Sequence, residues 1–145
     1  MPDFEFLIGK AAQIVSEQHA GMELSHVRGL PKNPAVVAAD FTHLDFTFIR
    51  GAGLVTITWA EARFGPPKHH AGLPMGDQPI DPPLEKTLDQ AIVLLRAGGH
   101  REPIMQLDLR MPLHPEVTEP IYIFAFGKPV SKVIGIGSPQ GKRVR

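Results

Sequence analysis

The chain has no cysteine, which excludes disulfides, thiolate catalysis and cysteine-based zinc sites. It has no excess of either charge: 15 Lys and Arg stand against 15 Asp and Glu, for a formal net charge of zero. Without a global basic field, nucleic acid and anionic membranes are not expected partners. The terminal Gly141-Lys142-Arg143-Val144-Arg145 reads as a solvated basic tail. No apolar run approaches the ~20 residues that a membrane-spanning helix needs. The opening Met1-Pro2-Asp3-Phe4-Glu5 lacks the basic-then-apolar layout of a leader. We therefore expect a cytoplasmic chain, with an exported mature form as the alternative.

What is present suits a globular fold. The 145 residues are 43% hydrophobic and 21% charged, the scale and mixture of one ordinary domain. Fifteen prolines and fourteen glycines favour turns and short strands over a helical bundle.

Apolar residues at three- and four-residue steps (Phe4, Leu7, Ile8, Ala11, Ala12, Ile14, Val15) predict a helix from Phe4 to His19, capped by Asp3 and stopped near Gly21. Met22 to Val27 alternates weakly and reads as a short strand. His43 to Ile49 alternates clearly, with Leu44, Phe46 and Phe48 opposed to Asp45 and Thr47. Gly51-Ala52-Gly53 turns the chain into a strand over Leu54 to Phe64. Gly65 to Pro83 carries six prolines and reads as a linker, because proline cannot join a helix interior or a central strand. A second helix is expected over Leu84 to Ala97, ended by Gly98-Gly99. Strands follow over Ile104 to Leu109, Ile121 to Phe126 and Val130 to Ile136.

The two halves share this order, and Phe46, Phe48 and Val55 recur as Phe124, Phe126 and Val133 at a constant offset of 78 residues. The expected fold is α+β: two similar helix-plus-three-stranded antiparallel units in tandem, spanning 1–64 and 84–145, joined by the linker 65–83 and packed as one domain. Two segments of the second unit sharpen this. Pro120-Ile121-Tyr122-Ile123-Phe124-Ala125-Phe126, followed by Ile134-Gly135-Ile136-Gly137-Ser138-Pro139-Gln140-Gly141-Lys142-Arg143-Val144, resembles the paired strands and glycine-lysine turn of the cystatin-like PepSY units. In tandem the layout is also similar to that of the beta-lactamase inhibitor proteins, whose disulfides have no counterpart here. The resemblance implies a binding fold and transfers no contact residue.

Few residues suggest chemistry. His43 and Asp45 lie two apart on one strand face and so are neighbours; they suit a general base with its orienting acid, or the lining of a pocket in a cone-shaped sheet. Ser25 and His26, adjacent on one strand, point apart. His69-His70 sits in the linker, and Asp77, Asp81 and His43 could contribute further metal ligands in space, but the spacing demands no site. Gly135 to Gly141 is glycine-rich but opens no helix, as a phosphate loop must. Trp59 reads as core or as the anchor of an interface. The expected role is a non-catalytic protein-binding module, an inhibitor or immunity-type protein, acting as monomer or homodimer without cofactor or metal. Trp59, His69, His70 and Met75 are its candidate contacts. The alternative is a small-molecule-binding or enzymatic domain built around His43 and Asp45.

Overall fold

The computed structural model of the chain describes residues 3–71, 78–82, 84–112, 119–127 and 133–136. Helix α1 (Phe4–Gln18) starts where expected: the Asp3 carboxylate accepts from the Glu5 amide at 2.9 Å, satisfying one of the donors a helix start leaves free. Its buried stripe is Phe4, Leu7, Ile8, Ala11 and Val15. Gly21 follows at φ +80°, a conformation that glycine adopts without penalty. Helix α2 (Leu88–Ala97) is shorter than the periodicity suggests. A reciprocal cap sets its start: Thr87 Oγ1 accepts from the Gln90 amide at 3.1 Å, and Gln90 Oε1 accepts from the Thr87 amide at 2.9 Å. Leu84 is buried ahead of the helix instead of within it.

The strands are β1 (Glu23–Pro31), β2 (Phe41–Arg50), β3 (Gly53–Ala60), β4 (Arg63–Phe64), β5 (Lys68–Ala71), β6 (Ile104–Arg110), β7 (Ile121–Phe126) and β8 (Val133–Ile136). They form a single antiparallel sheet of eight strands in the order β4-β3-β2-β1-β6-β7-β8, with β5 also paired to β3. One face carries Val27, Leu44, Phe46, Phe48, Val55, Ile57, Trp59, Leu107, Leu109 and Phe124, all in the core cluster with the buried faces of both helices. Burying such an apolar face is the main favourable term in folding.

Two of the three register shifts in the ladders explain where strict alternation fails near the centre of the sheet. Leu24 pairs with Phe48 and His26 with Thr47, so two steps on β1 match one on β2. Leu24 therefore faces the core while His26, two residues on, faces away. Likewise Ile104 pairs with Phe126 and Gln106 with Ala125. The bulge at Met105 brings Ile104 into the core beside Leu107 and Leu109, and leaves Met105 exposed.

The tandem arrangement is corrected by this topology: the chain is mostly one eight-stranded sheet with two helices, one of them short, and is not two helix-plus-three-stranded units. Strands β1 and β6 pair directly, from His26 with Arg110 to Gly29 with Leu107, so hydrogen bonding does not stop between the halves. The helices also cross the division. Helix α1 begins with Phe4 against Tyr122 of β7, ring centroids 6.2 Å apart, and packs against β3; beyond it, His19 stacks on His69 of β5 at 5.9 Å. Fifteen residues of helix extend roughly 22 Å, enough to span the four strand spacings from β7 to β3 at about 4.8 Å each. At the end of α2, Arg96 donates to the carbonyls of His100, Glu102 and Val36, tying the helix to the segment after β1. Phe46 and Phe124 reach equal depth, both fully buried, within one shared core.

The stretch expected as a linker is partly strand. After a two-residue turn, β4 pairs with the far end of β3, and β5 with its near end. Gly65-Pro66-Pro67 separates them, with the Gly65 amide bonded to the Thr58 carbonyl at 2.8 Å. The prolines thus fall at an interruption of an edge strand, where a missing amide hydrogen costs least. Ile80 is buried, and its amide donates to the Leu24 carbonyl at 2.7 Å.

Phe46→Ala and Phe124→Ala are each expected to cost about 3–5 kcal/mol in urea unfolding. The turn between β3 and β4 holds Glu61 at φ 53° and Ala62 at φ 62°, left-handed positions without glycine. Ala62→Gly should add about 0.5–1 kcal/mol of stability, read as a higher urea midpoint with unchanged slope.

Candidate functional site

Side chains alternate across a strand, so the residues between the core positions form a second face. Both helices lie on the other side, and this face stays open among the described residues. Its centre is charged. His26 and Arg28 of β1 stand opposite Arg110 and Asp108 of β6, while Arg28 is flanked on its other side by Asp45 of β2.

Asp108 gathers three donors. His26 Nε2 donates to Oδ1 at 2.7 Å, Arg28 Nε donates to the same oxygen at 3.1 Å, and Gln106 Nε2 donates to Oδ2 at 2.7 Å. A carboxylate can only accept, so Nε2 of His26 carries the hydrogen. Burial pushes the Asp108 carboxyl up, but the bonds from His26, Gln106 and Arg28 outweigh it and hold the group down from 3.8 to about 2.

A second cluster lies alongside. His43 Nε2 donates to the Asp45 carboxylate at 3.1 and 3.2 Å, and Thr58 Oγ1 donates to Asp45 Oδ1. The pairing of His43 with Asp45 expected from their spacing is present. The hydroxyl, however, bonds to the carboxylate and not to the imidazole. His43 is not placed to take a proton from Thr58, and the cluster lacks the nucleophile-to-base contact that covalent catalysis requires. Asp40 stays out of it: its carboxylate accepts from the amides of Val36 and Val37 at 2.8 and 3.1 Å, bonds that draw its pKa downward.

The other candidates are scattered. Trp59 is only 6% exposed and belongs to the core cluster, so it offers a partner almost no surface. His69 and His70 are exposed on β5, opposite Val55 and Leu54. Met75 and Asp77 lie outside the described residues. No group of three or more His, Asp or Glu with metal-binding geometry occurs among the described residues. Ser25 is buried at the β1 bulge. A shallow depression is lined by Glu85, Lys86, Glu119, Pro120 and Tyr122; there a hydrogen bond with Glu85 raises the Glu119 carboxyl. The Tyr122 hydroxyl donates to the Lys86 carbonyl at 2.7 Å, and burial pushes its pKa up. No helix among the described residues is long and apolar enough to cross a membrane.

The sequence reading missed the His26–Asp108–Arg28–Gln106 cluster. Its β1 pair and its β6 pair are about 80 positions apart, as the 82-residue separation of His26 and Asp108 illustrates, and only the β1–β6 register joins them. The available signal was polar residues at alternate positions, Gln106 and Asp108 on one strand and His26 and Arg28 on another, which names the face but not the partner.

Because the folded pKa of Asp108 lies below its unfolded value, its contribution is complete above about pH 4 and is lost as pH falls toward about 2. The size is about 2 kcal/mol. Urea stability followed from about pH 5 to about pH 2 should therefore fall more steeply by that amount in the natural chain than in Asp108→Asn; parallel profiles would contradict the assignment.

No protein family, curated protein or solved structure matches this chain.

Proposed function

We propose that this chain is a non-catalytic protein-binding module that engages its partner through the open face of the sheet. The observation that carries this reading is the charged cluster at the centre of that face. Its side chains are ordered by one another, and neither helix covers them. A pre-ordered surface loses little side-chain entropy on docking. Partly exposed apolar residues flank the charges: Ile49 and Leu54 at one end, Ile123 opposite Asp108, and Ala125 opposite Gln106. Protein-recognition surfaces combine apolar area with direct hydrogen bonds, and arginine is enriched in them.

The hydrogen bonds among His43, Asp45 and Thr58 favour binding over catalysis, since they hold the hydroxyl away from the imidazole. A face that binds without performing chemistry acts on its partner by occlusion, the mode of an inhibitor or an immunity-type neutraliser.

Thr56 lies on this face, whereas Lys10 is exposed on α1. In cross-linking from a lysate of the source cell, Thr56→Arg should weaken recovery of a specific protein by about tenfold, while Lys10→Glu should leave it unchanged. Equal recovery by both variants, or no protein specific to the natural chain, would sink the reading.

A further inference from the structure

We propose that Arg28 and Arg110 form a carboxylate-binding site on the open face, and that the group they take is an aspartate or glutamate side chain of the protein partner. The inference rests on the protein-binding reading and names the chemistry of its contact.

Arg28 pairs with Asp108 and Arg110 with His26, so the two arginines occupy diagonal cross-strand positions. Such positions are about 7–8 Å apart at the backbone, within reach of two long side chains that converge on one group. Arg28 uses a single donor within the protein: its Nε bonds to Asp108, its side chain is 50% exposed, and its two terminal nitrogens have no acceptor among the described residues. The bond at Nε holds the guanidinium plane, leaving the terminal pair as a fixed fork. Arg110 uses none. It makes no hydrogen bond or ion pair with the described residues, and its Nε is sealed from water without a partner. A docking group cannot reach that sealed Nε and would meet the terminal nitrogens, which are not sealed; an arginine that is partly buried yet makes no bond with the described residues is poorly accounted for by stability alone.

The acidic neighbours do not compete for these donors. Asp108 already accepts from His26, Arg28 and Gln106, and Asp45 from His43 and Thr58. Asp45 faces Arg28 across the β1–β2 ladder but makes no ion pair with it. The fork of a guanidinium matches the two oxygens of a carboxylate. Charge favours the same choice. Arg28 and Arg110 are matched in number by Asp45 and Asp108 on the same face, so a monoanion leaves a smaller imbalance than a phosphate dianion. A carboxylate carried on a protein also gains the apolar flank formed by Ile123 and Ala125, which a free anion does not use.

The test uses the full chain labelled with nitrogen-15, following the arginine Nε–Hε signals during titration with acetyl-Gly-Glu-Gly-amide, its Gln counterpart, sodium acetate and inorganic phosphate at constant ionic strength. The glutamate peptide should shift the Arg28 and Arg110 signals saturably, more tightly than acetate, and the glutamine peptide should not. Arg110→Gln should weaken the glutamate peptide by about tenfold, and Arg28→Gln provides the same reading should Arg110→Gln unfold. Equal shifts from both peptides, no saturable shift, or tighter binding of phosphate or acetate would overturn the proposal. Loss of recovery in Thr56→Arg without any peptide response would overturn this site and leave the protein-binding reading in place. The converse would keep the arginine site and remove the protein partner.

Discussion

The β1–β6 ladder determines both faces of the molecule. On the core side it sets Val27 against Leu109 and Gly29 against Leu107; on the open side it sets His26 against Arg110 and Arg28 against Asp108. A slip of one residue would exchange these sets, exposing Leu107 and Leu109 and driving Asp108 and Arg110 into the core. Gly29 makes the register tighter still. A Cβ there would stand 3.1 Å from Leu44 Cδ2, 3.2 Å from Phe41 Cδ1 and 3.3 Å from Leu107 Cδ2, so side chains from both neighbouring strands close over the glycine. The charged cluster on one side and the packing on the other thus specify the same alignment.

That alignment also explains why the halves cannot be independent. A sheet formed by joining two meanders needs its apolar face covered across the join, and both helices do so. Phe4 at the start of α1 meets Tyr122 of β7, while the residue after its end meets β5. Arg96 secures the end of α2 to Val36, close to the Ala35–Ile104 bridge that joins the two halves again. At the β3 edge the chain breaks its own strand, since β4 and β5 are separated by Gly65-Pro66-Pro67. Short, proline-interrupted edges resist pairing with foreign strands, which directs recognition toward side chains of the face and away from the backbone of that edge.

Local features were legible in the sequence, and long-range ones were not. The Asp3 cap, the α1 stripe and the alternation of β2 follow from spacing within one element. Ala12 fits the apolar period of α1 yet lies exposed, because a helix on a sheet buries a narrower stripe than the apolar residues available. Leu84 fits the helical period four residues ahead of the observed start of α2, whereas Thr87 and Gln90 satisfy the end groups that decide where a helix begins. The bulges at Ser25 and Met105 break alternation at the two strands that meet in the middle of the sheet. This hid the full length of β1. The matching order of elements in the two halves was visible, but order does not state which strand edges pair, and that pairing turned an expected tandem into one sheet. Of the site, His43 with Asp45 was readable because the partners are two residues apart.

The Asp108 cluster does more than stabilise the centre of the sheet. A carboxyl held near 2 remains ionised from moderately acid to neutral solution, so the bond that orients Arg28 persists throughout that range. Arg28 would otherwise be a long, half-exposed side chain with considerable rotamer freedom, and ordering it at the moment of contact would oppose binding. Asp108 fixes it in advance, using Nε and sparing the terminal nitrogens. Gln106 and His26 in turn occupy two more of the roughly four acceptor positions of Asp108, one on each oxygen, which opposes a second bond from the guanidinium to that carboxylate. The polar centre of the face is therefore ordered by the same ladder that packs the core. This is how an open sheet face presents donors at set positions.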